Sequence, residues 1–129
     1  MLIFILMIFS PCVYSINNKI EVVNITGLEL TKSEDEDIVN ECKKWKISKE
    51  DVEKIFKNSK EYEYYPYDVF YQTPCNINGE AKINNKMWSF YINGGGITTL
   101  ENNKESIYLG CSSKECESFF IFPLDGMNP

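Results

Sequence analysis

The sequence predicts an α+β fold in which two N-terminal helices pack on one face of a four- to five-stranded antiparallel meander. Three observations predict this class. Ser48 and Asp51 form a helix-start pattern before a narrow apolar stripe. Residues 76–109 carry strand patterns in which apolar and polar side chains alternate. Asn-Asn dipeptides at 84–85 and 102–103 divide these strands, and hairpin turns with positive φ accept Asn.

The N-terminal segment is predicted to be a signal peptide, residues 1–15, cleaved after Ser15. Residues 2–9 are all apolar, a run far below the roughly 20 residues that span a bilayer. Val13 and Ser15 are small enough for the −3 and −1 positions of a signal-peptidase site. Because no basic residue precedes the apolar run, a buried N-terminal strand or helix is an alternative. Lipid anchoring at Cys12 is another, and Pro11 directly before it disfavours acylation.

The remainder, residues 16–129, has the length of a single α+β domain and is expected to end in a frayed tail. No later apolar run is long enough to span a membrane. The net charge of −6 lies entirely in this part, because residues 1–15 carry no charged side chain. This charge disfavours nucleic acid and anionic membranes, which need Lys/Arg patches, and is compatible with a cationic partner. From the predicted signal peptide we infer an exported protein, periplasmic or secreted.

The cysteines support export, because cleavage after Ser15 leaves an even number of them, which is typical of disulfides in exported chains. The four that remain are Cys42, Cys75, Cys111 and Cys116. The sequence allows three connectivities. A bridge between Cys111 and Cys116 across a short loop is the simplest, and Cys42–Cys75 would then join the helical part to the sheet. A zinc site is the alternative, but the chain has no CxxC pair and no His.

The elements follow in order from the residue patterns. Residues 19–30 are rich in β-branched side chains and predict an opening strand at an edge, with a glycosylation sequon at Asn24 if the source is eukaryotic. Ser33 and Glu36 predict a capping box for the first helix. Ser48 caps the second helix. The apolar run at 119–122 predicts a final strand or a segment beside the helices.

The first hairpin allows its register to be predicted. With Asn84-Asn85 as the turn, the opposed pairs place apolar or small residues on one face of both strands. These pairs are Ile83 with Lys86, Ala81 with Trp88, Gly79 with Phe90, and Ile77 with Ile92. Gly94–Gly96 is interpreted as a turn to the next strand, and Asn102-Asn103 as the turn of a second hairpin. The second register is left open, because no single pairing aligns Leu100 with both Ile107 and Leu109.

The composition argues against most enzymes. The chain has no His and no Arg, so Ser-His-Asp, Cys-His and His-ligated zinc chemistry cannot be assembled. No phosphate-loop or dinucleotide motif is present, and no cofactor or metal is expected. Nineteen acidic residues leave a carboxylate-based hydrolase as an alternative, but none sits in a recognisable catalytic context. We predict that the protein is not an enzyme.

The candidate binding residues lie in a tyrosine-rich segment, residues 61–75. Tyrosine rings give a large contact area at low entropic cost, which favours them in binding surfaces. The opposing interpretation is that several of these rings pack onto the sheet and complete a small core. The predicted binding residues are Tyr62, Tyr64, Tyr65, Tyr67 and Tyr71.

Several motifs together support a resemblance. They are the capped helix at 47–56, Thr73-Pro74-Cys75, Trp88, Gly94–Gly96, and Tyr108 through Cys111 followed by Cys116. Over roughly residues 45–117 the chain resembles a group of small exported bacterial proteins of uncharacterised function, some of them similar to periplasmic immunity or inhibitor proteins. The resemblance implies a cysteine-containing α+β domain and supplies no catalytic residues.

These observations predict an exported binding or inhibitory protein, immunity-like, that acts through contact with another protein. The alternatives are an envelope-associated structural protein, tethered if Cys12 is lipidated, and the carboxylate-based hydrolase.

Overall fold

The computed structural model describes residues 19–122, so the predicted signal peptide and the tail from Pro123 onward lie outside the described residues. Two α-helices and six strands are joined to a closing 3-10 helix. In chain order they are β1 (Ile20–Leu30), α1 (Glu36–Lys44), α2 (Lys49–Asn58), β2 (Lys60–Tyr62), β3 (Cys75–Ile83), β4 (Lys86–Asn93), β5 (Ile97–Glu101), β6 (Ser106–Gly110) and the 3-10 helix (Lys114–Phe119).

The strands form one antiparallel sheet of six, in the order β1-β3-β4-β5-β6-β2. The α+β class is confirmed, but the predicted strand count and helix placement are wrong in detail. Only β3–β6 run as a meander. β1 adds to one edge beside β3, β2 adds to the other beside β6, and both helices are inserted between these edge strands in the chain. β2 has only three residues, too few to show an alternating strand pattern, so the sequence analysis missed it.

The β3–β4 hairpin has the predicted register in all four pairs. Asn84 and Asn85 have φ values of 52° and 67°, which suit the positive-φ turn between two twisted strands. The register places Ala81, Trp88, Phe90 and other apolar residues on one buried face, here called the core face. The local turn chemistry and the hydrophobic pattern therefore specify the same pairing.

The β5–β6 connection differs from the two-residue turn predicted at Asn102-Asn103. It is a four-residue loop in which Asn102 Oδ1 accepts hydrogen bonds from the N–H groups of Lys104 and Glu105. Leu100 opposes Ile107, and Thr98 opposes Leu109. This register resolves the conflict left by the sequence, because Leu109 pairs with a threonine that is itself fully buried.

The N-terminal cap predicted from the sequence is confirmed for α2 and is wrong for α1. In α2, Ser48 Oγ accepts from Asp51 N and the Asp51 carboxylate accepts from Ser48 N, which confirms the capping box. The capping box predicted for Ser33 and Glu36 is wrong. Asp35 is the N-cap of α1, and its carboxylate accepts from two N–H groups of the first turn. Ser33 Oγ accepts instead from Asp35 N and stabilises the turn before the helix.

The helices pack on the core face of the sheet. Phe56 of α2 meets Phe90 of β4 edge-to-face, with ring centroids 5.3 Å apart. The buried Trp45 follows α1, and its Nε1 donates to Phe119 O at 2.8 Å. This bond holds the end of the 3-10 helix near the helices, so the run at 119–122 is a segment beside the helices rather than a strand.

Two disulfides crosslink the structure, and their pairing is the one that the sequence analysis gave as the simplest. Cys42 of α1 is bonded to Cys75 of β3, and Cys111 is bonded to Cys116. All four cysteines are buried. The first bridge joins the helices to the sheet, and the second closes the start of the 3-10 helix against the end of β6.

Candidate binding surface: the tyrosine loop

The tyrosine loop, residues 62–72, connects β2 to β3 and lies against the face of the sheet opposite the helices, here called the outer face. It leaves the sheet at Tyr62, which opposes Tyr108 in β6. Two backbone hydrogen bonds shape it, from Tyr67 N to Tyr65 O at 2.8 Å and from Val69 N to Pro66 O at 3.1 Å. Pro66 is itself buried. The loop is thus a folded turn in which a proline faces inward.

Phe70 attaches the loop to the outer face. The ring is buried, although it lies outside the main core cluster formed with the helices. It occupies the space above Gly96 and Gly110: a Cβ at Gly110 would come within 2.6 Å of the ring, and one at Gly96 within 3.1 Å. A Cβ at Gly110 would therefore displace the ring, and at Gly96 the contact would be tight and the φ of +116° also favours glycine. The tyrosine loop therefore has a small core of its own.

A buried polar network fixes the other end of the loop. The Asn93 amide, at the end of β4, accepts from Thr73 N and donates to Thr73 O, each at 2.9 Å. Asn93 Oδ1 also accepts from Gly95 N, and Thr73 Oγ1 accepts from Gly94 N at 2.9 Å. These bonds join the tyrosine loop to the glycine turn. Thr73 and Asn93 are buried, and a buried polar atom without a hydrogen-bond partner destabilises the fold.

The predicted binding residues divide into two groups. Tyr62 and Tyr65 are half-buried: Tyr62 packs edge-on against Phe70 at 6.1 Å and Tyr65 against Tyr108 at 6.0 Å between ring centroids. Burial raises the pKa of both phenols. These two rings brace the loop, as the packing interpretation of the segment proposed.

The other tyrosines project further into solvent. Tyr64 and Tyr67 are each 63% exposed, and Val69 between the loop's turn and Phe70 is also exposed. Tyr71 is exposed at 37% and contacts Phe122, with ring centroids 4.8 Å apart. The loop therefore presents large rings on a backbone that is held at both ends.

A row of side chains crosses the outer face next to the loop, and the sequence analysis missed it. Directly opposed residues on neighbouring strands share a face, and the row runs through five strands. Its members are Asn78, Tyr91, Thr99, Tyr108 and Tyr62. All are half-buried. The signal was available, since a register that places Trp88, Phe90 and Ile92 inward must place Tyr91 outward.

Residues 19–122 were also compared with the requirements of a metal site and of a membrane-spanning helix. No cluster of three or more His, Cys, Asp or Glu side chains in this range could hold a metal ion. No helix in the same range is long and apolar enough to cross a membrane. The surface with the clearest arrangement is the tyrosine loop with the adjoining row of the outer face.

No protein-family model, curated protein or solved structure matches this chain. The resemblance to small exported bacterial proteins therefore stays a prediction, and the functional argument depends on the molecule's own geometry.

Proposed function

We propose that the protein is an exported binding or inhibitory protein that contacts another protein through the tyrosine loop. The observation that carries the proposal is the exposure of Tyr64 and Tyr67 on a loop held by Phe70 and by the Asn93–Thr73 hydrogen bonds. Tyrosine is enriched at protein interfaces because one ring offers apolar area and a hydroxyl together.

The bracing of the loop matters for affinity. A flexible loop loses conformational freedom when it binds, and this loss opposes association. In the tyrosine loop, Phe70 and Pro66 are buried and the backbone turns on its own hydrogen bonds. Much of the ordering has therefore occurred before a partner arrives, so the exposed rings can contribute their contact area with little further cost.

The two disulfides are compatible with export, since such bonds persist in oxidising compartments. They support an extracytoplasmic partner for the same reason. The tethered, envelope-associated alternative depends on Cys12, which lies outside the described residues.

The hydrolase alternative requires a carboxylate that is sheltered from water, because burial raises its pKa into the range of a general acid. Every Asp and Glu between residues 19 and 122 is exposed, except the half-buried Asp51 and Glu80. Asp51 is used in the capping box of α2. The described carboxylates thus offer no observation that favours hydrolysis over binding.

The experiment compares a double variant, Tyr64→Ser with Tyr67→Ser, with the control Met87→Ser. Met87 is 46% exposed and lies in β4, outside the loop. The partner is captured from extracytoplasmic fluid of the native host, purified, and titrated calorimetrically against each form. Loss of interface aromatics costs about 2 kcal/mol or more, roughly 30-fold in Kd, when they dominate an interface. We expect that loss for the double variant and wild-type affinity for Met87→Ser.

The proposal is wrong if no stoichiometric partner is captured, or if the double variant binds the partner as tightly as the wild type. Thermal unfolding of each variant checks that the fold is retained, which we expect because both substituted tyrosines are largely exposed.

A further inference from the structure

We propose that the tyrosine loop takes a basic segment of its partner, with a Lys or Arg side chain lying over the ring of Tyr64 or Tyr67. The carboxylates of Glu63 and Asp68, which directly precede and follow this pair of tyrosines in the chain, would attract the same cation. The inference rests on the proposed function and specifies the chemistry of the partner at that surface.

The first argument is the distribution of charge. The helical layer, residues 36–58, contains six acidic residues and six lysines and is neutral. In contrast, the tyrosine loop, residues 62–72, contains Glu63 and Asp68 and no lysine. The side chains of the loop therefore carry a net charge of −2, although Lys60 lies just before it. A surface of one sign steers a partner of the opposite sign toward it.

The second argument is that these carboxylates are uncompensated. Glu61, Glu63 and Asp68 are exposed, and none forms an ion pair with another residue in the range 19–122. The ion pair present in that range joins Lys44 to Glu41 within α1. The acidic groups of the loop are thus available to a cation supplied from outside.

The third argument is the ring chemistry. Lys60 places its Nζ 5.7 Å from the centroid of the Tyr62 ring, at the start of the same loop. This is the distance at which an ammonium is attracted by the negative face of an aromatic ring. The side chains of Tyr64 and Tyr67 are each 63% exposed and have no hydrogen-bond or ring partner among residues 19–122, so their ring faces remain open to an equivalent contact. Arg would add a planar stacking contact that Lys lacks.

The exposed tyrosine rings and the carboxylates of the loop together distinguish a basic segment from other classes of partner. An anionic membrane or a nucleic acid would be repelled by the loop's carboxylates. A neutral glycan could stack on tyrosine rings, but its binding would not depend on Glu63 or Asp68. Dependence on both the rings and the carboxylates is therefore the property that distinguishes a basic segment.

The experiment uses the full chain, expressed with export so that both disulfides form, labelled with nitrogen-15 and titrated with an oligolysine peptide. An oligoglutamate peptide of equal length is the comparison. We expect oligolysine to shift the amide signals of residues 63–68 and oligoglutamate to leave them unchanged. Raising the salt from about 0.01 M to about 1 M shortens the screening length from about 30 Å to about 3 Å and should abolish the shifts.

Two charge-matched variants locate the effect. Glu63→Gln with Asp68→Asn should weaken oligolysine binding by roughly tenfold, since an exposed charge pair changes an affinity by about two- to fivefold. Glu50→Gln with Glu53→Gln removes the same charge from the exposed surface of α2 and should leave binding unchanged. Tyr64→Ser with Tyr67→Ser should weaken it independently of net charge.

The inference is overturned if the α2 variant loses as much affinity as the loop variant, if oligoglutamate shifts the same signals, or if the shifts persist at high salt. Its failure is separable from that of the proposed function. A captured partner that needs Tyr64 and Tyr67, yet binds the Glu63→Gln/Asp68→Asn variant normally and at high salt, would keep the binding function and exclude a basic segment.

Discussion

The side chain of Asn93 pairs with the backbone of Thr73 through two reciprocal hydrogen bonds, each of 2.9 Å. The amide acts here as a backbone unit would in a sheet, donating to the carbonyl and accepting from the N–H of one residue. Both residues are buried, and their hydrogen bonds attach the end of the tyrosine loop to the end of β4. Removing the amide leaves Thr73 with two polar groups that water reaches poorly.

We predict that Asn93→Ala lowers the free energy of unfolding by about 2–4 kcal/mol, since each unpaired buried group costs about 1–3 kcal/mol. Asn93→Asp keeps the shape but removes the donor to Thr73 O, and it should be intermediate. Urea denaturation with the disulfides intact measures both. Asn103→Ala, at an exposed loop position, is the control and should change stability by less than about 0.5 kcal/mol. Equal effects at Asn93 and Asn103 would contradict the assigned role.

The two disulfides should contribute unequally. They close loops of different length, with sequence separations of 33 for Cys42–Cys75 and 5 for Cys111–Cys116. The loop-entropy relation gives about 4 kcal/mol for the first and about 2 kcal/mol for the second. We therefore expect the Cys42→Ser/Cys75→Ser pair to have the lower unfolding midpoint in urea. A larger loss for Cys111→Ser/Cys116→Ser would show that loop closure does not govern the ranking.

Alkaline pH should destabilise the fold through Tyr62 and Tyr65. Burial raises the pKa of both phenols above the unfolded value of about 10. Their contribution is therefore fully present below about pH 10 and is lost as pH rises through the higher folded-state pKa. The informative quantity is the difference in pH dependence of stability between the wild type and a variant that lacks the two phenols. Tyr62→Phe with Tyr65→Phe should lose stability less steeply above pH 10 than the wild type, and equal slopes would refute the assignment.

The native N-terminus tests the predicted signal peptide and its lipid-anchored alternative. We predict that mass spectrometry of protein from its native source finds Ile16 as the first residue and a mass lower by two hydrogens for each disulfide. A diacylated Cys12 at the N-terminus would support the tethered alternative. Retention of Met1 would contradict the predicted signal peptide.

The sequence predicted well those features that depend on neighbouring residues. The β3–β4 register follows from the Asn84-Asn85 turn and from alternation within the flanking strands, all within one short segment. The Ser48 cap is local in the same way. The first helix shows the limit of such reasoning, because Ser33 and Asp35 both offer a capping oxygen and the choice depends on the entry angle of the chain.

Features that depend on distant residues were not predictable from the pattern. The pairing of β1 with β3 brings together residues about fifty positions apart, and no local signal specifies it. The position of Phe70 over Gly110 is similar, since a glycine beside a cysteine gives no indication of which ring will cover it. For this reason the segment could be identified as tyrosine-rich, while the division into bracing rings and exposed rings required the structure.

The edge strand β1 has a consequence for the behaviour of many copies together. Val23 and Thr26 interrupt its pairing with β3 as two bulges, which leaves Gly27–Leu30 as the longest regular stretch. An exposed edge can template the addition of further strands, and it does so best when it is long and flat. The bulges divide this edge into short, differently twisted pieces. Because Val23, Leu28 and Leu30 are exposed along β1, we expect these bulges to disfavour the edge-to-edge addition of strands from other copies.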